Sequence, residues 1–405
     1  MKKLILLLVT SLALNLSSCF NNSTEIDKSE DVQAEVVVTE KEEMRGMWLS
    51  FYEISDICKG KTEEEYRKNT EEIIKNLSGN KFNAIFYQVR AFSDALYKSE
   101  IFPTSRYITE YEGAEIAFDP LAIFIEIASE YNISVHAWVN PLRISNSTDI
   151  SDISDENPAM RLYNEDEDLS SLIVCEKGLF YNPSDEGARM VILSGIKELM
   201  ENYDIKGFQF DDYFYPEAED INDGIHYNSY VENGGQLSLE DWRKKNVSSL
   251  VSSVYNLIKG YNENIVFGIS PAASFEKNEK IFADVKLWCK EQGFVDYIMP
   301  QIYFGFENEN MPFCETAELW CQIERDSSVC LYIGLSPYKI GVADENAGSG
   351  KNEWINKENI LGQQYEFLKS NTDFSGFALF SYSYCYGKNV NEKGVSELGV
   401  LTSML

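Results

Sequence analysis

Gly207-Phe208-Gln209-Phe210-Asp211-Asp212-Tyr213 is the stretch on which the reading turns. Successive side chains of a strand point to opposite faces, so Phe208 and Phe210 share one face while Gln209 and Asp211 share the other. Phe208 and Phe210 then face helices, and Gln209 and Asp211 face an interior. Asp212 falls where the strand gives way to a loop.

Outward from this stretch the same kind of short apolar run recurs. Candidate strands are Arg45–Leu49, Ala84–Val89, Ser134–Asn140, Gly207–Asp211, Ile265–Ser270, Tyr297–Tyr303, Cys330–Leu335 and Gly376–Tyr382. Helical periodicity separates them at about Thr62–Leu77, Asp119–Tyr131, Asp185–Tyr203, Leu239–Lys259, Lys280–Gln292, Glu315–Asp326 and Asn359–Ser370. Eight strands alternating with helices predict an α/β chain folded as a (β/α)8 TIM barrel. A doubly wound open sheet is the alternative, but no G-x-G-x-x-G opens the first strand–helix turn. Long insertions follow strand 2 (Arg90 to Phe118), strand 3 (Pro141 to Ser184) and strand 4 (Asp212 to Ser238). In a barrel such loops gather on the face where active sites are built.

The 405 residues are 44% hydrophobic and 25% charged, a globular composition. Lys and Arg number 35 against 66 Asp and Glu, a net charge of −31, which repels phosphate and argues against nucleic acid as a partner. Residues 1–18 read as a lipoprotein signal peptide: Lys2 and Lys3 precede the apolar Leu4 to Leu14, and Leu16-Ser17-Ser18-Cys19 is a lipobox. Cys19 is the expected lipid attachment site, placing the protein in the cell envelope, outside the cytoplasm and anchored to a bacterial membrane. Residues 19–43 read as an acidic disordered tether and 44–405 as the barrel. Seven cysteines remain once Cys19 is set aside, an odd number without C-x-x-C spacing, so no disulfide framework is expected.

Polar residues in phase near strand ends define the candidate site. Gln88 and Arg90 on strand 2, His136, Trp138 and Asn140 on strand 3, Gln209 and Asp211 on strand 4, and Met299, Gln301 and Tyr303 on strand 6 all take the inward phase. Amides, carboxylates and aromatic rings suit a polyhydroxylated ligand, because amide edges match hydroxyls and flat rings stack on sugar faces. Asp211 and Asp212 are the candidate catalytic carboxylates. Only His136 and His226 are present, ninety positions apart, so neither a metal site nor a Ser–His relay is expected. No cofactor is expected either, since no glycine-rich phosphate loop occurs.

Six ordered segments carry a resemblance: Arg45-Gly46-Met47-Trp48; Phe82-Asn83-Ala84 through Gln88-Val89-Arg90 with Asp94-Ala95-Leu96-Tyr97; His136 to Pro141; Asn182-Pro183; Gly207 to Pro216; and Asp296 to Tyr303. The chain from Met44 to about Tyr386 resembles the glycosyl-hydrolase-like family ten of bacterial lipoproteins, which are glycoside-hydrolase-type barrels. The resemblance implies cleavage of bacterial cell-wall glycan, since a relative cuts peptidoglycan strands already stripped of their stem peptides. Where the family pattern carries His, this chain has Gln209, which hydrogen-bonds but does not titrate.

The expected function is therefore a membrane-anchored glycoside hydrolase acting on a cell-wall or related N-acetylated polysaccharide through carboxylates at the end of strand 4. In one scheme Asp211 is a nucleophile and Asp94 the acid. In the other, favoured because one strand end supplies both acids, Asp211 orients the acetamido group and Asp212 protonates the leaving oxygen. Expected substrate-binding residues are Arg90, Asp94, Tyr97, Trp138, Asn140, Gln209, Tyr213, Tyr215, Gln301, Tyr303 and Tyr382. The alternative is a non-catalytic glycan-binding lipoprotein that keeps the cleft, and Gln209 is its main support.

Overall fold

A computed structural model describes residues 42–165, 170–218, 221–370 and 373–405. The signal peptide, Cys19 and the tether up to Lys41 lie outside the described residues. Glu42 and Glu43 are already fastened to the barrel: Glu42 accepts from Arg45 at 3.0 Å, and Glu43 pairs with Lys369 at 2.7 Å.

Eight parallel strands close into a barrel: Met44–Leu49, Ala84–Arg90, Ser134–Val139, Gly207–Phe210, Val266–Ile269, Tyr297–Ile298, Cys330–Leu335 and Phe374–Leu379. Strand 8 pairs with strand 1 through Met44↔Gly376 and Met47↔Leu379, which completes the ring. All eight expected strands are present. The sixth is shorter than expected because Pro300 has no N–H to donate; its path continues only as isolated bridges at Gln301.

The helices begin where the sequence supplies caps. Thr62 and Glu65 form a capping box at Glu63–Gly79, Asp119 caps Pro120–Glu130 with proline in its first turn, and Asp185 caps Glu186–Asn202. The helix expected over Lys280–Gln292 is instead two short helices, Phe275–Lys280 and Val285–Lys290. Phe282 takes a left-handed φ of 57° between them, and Asp284 caps the second by accepting from the Leu287 N–H. A C-terminal helix, Glu392–Met404, follows strand 8 and was not read from the sequence.

The periodicity assigned the faces correctly on strand 4. Phe208 and Phe210 lie in the apolar layer between strands and helices. Trp48, Phe86, Trp138, Tyr297, Met299 and Ala378 fill the barrel interior. Gly268 permits that filling, because a Cβ there would stand 2.2 Å from the Tyr297 ring. His136 packs in the same interior against Phe86 at 5.0 Å, and burial lowers its pKa to about 4, so it is a neutral core side chain.

The connection after strand 3 carries a helix, Pro158–Glu165, and a three-stranded antiparallel sheet of Arg143–Ser145, Gly178–Tyr181 and Leu172–Cys175. The connection after strand 4 carries Gly224–Glu232. Both rise from the C-terminal ends of the strands.

Candidate active site

A cleft of about 700 Å³ opens at that end of the barrel, a size suited to a ligand of several rings. Trp48, Gln88, Trp138, Asn140, Ser270, Gln301, Tyr303, Tyr338 and Phe380 line it, with Asp211, Asp212 and Tyr213 on the wall from strand 4. Tyr303 stacks on Phe380 with centroids 5.9 Å apart, giving one wall a flat aromatic surface. Gln88 donates to Asn140 at 3.0 Å, which fixes the orientation of both amides.

The two aspartates, adjacent in sequence, have different surroundings. Asp211 is buried; its Oδ2 accepts from Trp138 Nε1 at 2.9 Å and its Oδ1 from the Tyr213 backbone N–H at 3.1 Å. Burial, and then the charge of Asp212 beside it, push its carboxyl up to about 8 against the pull of those hydrogen bonds. Both effects favour the protonated form of Asp211. Asp212 is partly open, with Oδ2 3.1 Å from Lys277 Nζ and Oδ1 accepting from Gln301 Nε2 at 3.1 Å.

Two carboxyl groups at a barrel mouth are the groups that glycosidic cleavage commonly uses, and comparison with known proteins gives the family. Residues 43–353 match the model of the family described as glycosyl hydrolase-like 10. The chain belongs to that family. It is 30% identical over 355 residues to glycosyl hydrolase YngK of Bacillus subtilis (strain 168), covering 82% of this chain and 68% of the relative. Glycosyl hydrolase DigH of Escherichia coli (strain K12) is 27% identical over 427 positions, covering 96% of this chain and 95% of the relative. Among solved structures, the glycoside hydrolase domain of PgaB (BpsB) from Bordetella bronchiseptica shares the fold, with a TM-score of 0.59 at 11% identity over 89% of this chain and 99% of that one. The enzyme class that follows is glycoside hydrolase.

Within this glycosyl hydrolase-like 10 chain, the cleft gathers eight of the residues expected from sequence: Gln88, Asp211, Asp212, Trp138, Asn140, Tyr213, Gln301 and Tyr303. Gln209 lies beneath the floor, fully buried, where its Oε1 accepts from Trp48 Nε1 at 2.7 Å. Five others are placed outside the cleft. Arg90 follows a register shift between Gln88 and Arg90, which turns its side chain outward against Phe102 and Gly195 of the helix Glu186–Asn202. Asp94 is sealed inside its own loop near Ser105, with burial raising its carboxyl to about 7, and so cannot serve as the acid. Tyr97 donates to Glu198 at 3.0 Å, and Tyr215 to Asp223 at 3.3 Å. Tyr382 turns to the helix layer and accepts from Asn76 at 2.9 Å, while its neighbours Ser381 and Ser383 face the cleft.

Sequence reasoning missed Trp48, Glu53, Arg143, Lys277, Tyr338 and Phe380 as cleft residues. Trp48 was legible, since it takes the inward phase at the end of strand 1. Phe380 was legible in the same way, since it takes the inward phase of the expected strand Gly376–Tyr382 beside the interior Ala378. The others sit on helix starts and in the connections between barrel strands, where the alternation of the barrel strands carries no information.

Glu53 is the clearest structural member of the missed set. It lies buried on the helix Phe51–Cys58, where it accepts from the Ser50 N–H at 2.6 Å, Ser381 Oγ at 2.5 Å and the Ser383 N–H at 2.6 Å. It thereby ties the loop after strand 1 to the loop after strand 8, and burial raises its carboxyl above the ordinary range despite those donors. Glu53→Leu strands all three donors in the interior, at roughly 1–3 kcal/mol for each unpaired group. The expected loss is about 3 kcal/mol or more in denaturant unfolding, and an unchanged midpoint would show that the donors find other partners.

Proposed function

We propose that this protein hydrolyses β-linked, N-acetylated glycan of the bacterial cell wall, with peptide-free peptidoglycan strands as its substrate, and that Cys19 anchors it by lipid to the outer face of a bacterial membrane. The observation that carries the chemistry is the division between Asp211, kept protonated by burial, and Asp212, held beside Lys277 and Gln301. Tuning two carboxyls apart in this way is how one site supplies an acid and a base at one pH.

The surroundings favour the reverse of the role assignment drawn from sequence. Asp211 donates its proton to the leaving glycosidic oxygen. Asp212 remains the carboxylate and accepts from the acetamido N–H while the acetamido oxygen attacks the anomeric carbon and the bond to the leaving oxygen breaks. Water then adds at the anomeric carbon, the ring to the acetamido oxygen opens, and the water's proton returns to Asp211. Trp138 holds Asp211 in place, and Trp138, Tyr213 and Tyr303 offer ring faces for the sugars. The substrate class rests on the resemblance carried by the six sequence segments, and an aromatic, amide-edged cleft is consistent with it.

The test is to incubate the protein with purified glycan strands freed of stem peptides and to measure new reducing ends. Steady release, abolished by heat denaturation, is the expected result. Tight binding without product would transfer the assignment to the rival, a glycan-binding lipoprotein that keeps the cleft.

A further inference from the structure

Among the described residues, three cations line the cleft: Arg143, Lys277 and Lys388. Two are neutralised within it, Lys277 by Asp212 at 3.1 Å and Lys388 by Asp56 at 2.6 Å. Arg143 has no carboxylate partner among the described residues. Its guanidinium bonds the Asn146 side chain and lies over two rings, 4.9 Å from the Phe92 centroid and 4.7 Å from that of Tyr213. Tyr213 is also the residue whose backbone N–H holds Asp211.

The cleft thus keeps one guanidinium with no carboxylate at ion-pair distance, held over the ring of the residue that follows the acid pair. Fixing it in advance reduces the entropy lost on binding, and its planar fork matches a carboxylate better than an ammonium does. The surrounding chain is strongly acidic, at −31 overall, so an anionic ligand gains nothing from long-range attraction. Charges more than about 8 Å away are largely screened at physiological salt, and a local contact decides.

We infer that Arg143 binds a free carboxylate carried by the sugar next to the scissile bond and so selects glycan whose acid groups are unsubstituted. The inference rests on the proposed function and deepens it. In peptide-bearing strands the lactyl carboxyl of each muramic residue is tied up as an amide. Removing the peptide restores a carboxylate, which the guanidinium then reads. Arg143 is thereby a specificity residue; because its charge also pulls the Asp211 carboxyl down, the ratio of affinities for acid and amidated strands, and not turnover, reports its role.

Three glycans separate the possibilities: peptide-free strands, the same strands with their carboxyls converted to methylamides, and a neutral β-1,4-linked N-acetylglucosamine oligomer. The wild-type protein is expected to show a KM or Kd roughly tenfold lower for the acid strands than for the amidated ones, the scale of one charge-assisted hydrogen-bonded contact. Arg143→Gln is expected to bring that ratio close to one, and Arg143→Lys to restore part of it. Equal wild-type affinity for acid and amidated strands, or a preference that persists in a folded Arg143→Gln variant, overturns the inference. If no glycan yields reducing ends while Arg143-dependent binding of acid strands remains, the proposed hydrolysis falls and the recognition stands. Cleavage that does not depend on the carboxyl overturns the recognition and leaves the hydrolysis standing.

Discussion

Asp211→Asn is expected to lower turnover on peptide-free glycan strands by about 10²-fold or more, the scale of removing a positioned general acid. Asparagine keeps the size of the side chain but only one acceptor for the Trp138 and Tyr213 N–H groups, so the loss of turnover alone does not isolate the proton. Two further readouts follow. Wild-type turnover should fall as pH rises through about 8, where Asp211 loses its proton, and the Asn variant should lack that alkaline limb. The deficit should also shrink on an aryl glycoside whose leaving group departs without protonation. A folded variant with undiminished turnover on natural strands would remove Asp211 from the mechanism.

The same carboxyl leaves a mark on stability. Its folded value of about 8 lies above its ordinary 3.8, so between those pH values the native state holds a proton that the unfolded state has released. Stability from this group is present in full below about pH 4 and is lost as pH rises through about 8. Asp211→Asn cannot ionise and should therefore gain on the wild type as pH increases.

Asp212→Asn should be at least as damaging, with a loss of about 10²- to 10³-fold, comparable to deleting a group that stabilises charge in a transition state. Here the missing element is the negative charge opposite the positive character that develops on the sugar as its bond to the leaving oxygen breaks. An activated leaving group does not replace that charge, so the deficit should persist on aryl glycosides. This contrast with Asp211→Asn separates the two roles in one assay. The opposite pattern, in which the Asp212→Asn deficit shrinks on aryl glycosides and the Asp211→Asn deficit persists, would return the assignment to the order read from the sequence.

Much of the barrel was legible because its signal is local and periodic. Phe208 and Phe210 against Gln209 and Asp211 is a two-residue alternation that any strand of this fold must show. The failures fall where local signals stop. Arg90 was misplaced because a register shift inverts the phase after Gln88 without leaving a sign in the sequence. Tyr97, Tyr215 and Tyr382 were drawn to the site by residue type, whereas Glu198, Asp223 and Asn76 engage their hydroxyls elsewhere. Glu53, Lys277 and Arg143 reach the cleft from separate connections, and their meeting depends on how those connections pack. The adjacent aspartates were picked out from one strand end, but the burial of Asp211 and the placing of Asp212 beside Lys277 and Gln301 depend on packing that composition does not encode.

Strand 1 begins at the floor of the molecule, and Glu42 and Glu43 are pinned there by Arg45 and Lys369. The polypeptide thus joins the barrel at the pole opposite the opening that receives sugar. Tension applied at Glu42 would load the first strand before it reached the aspartates.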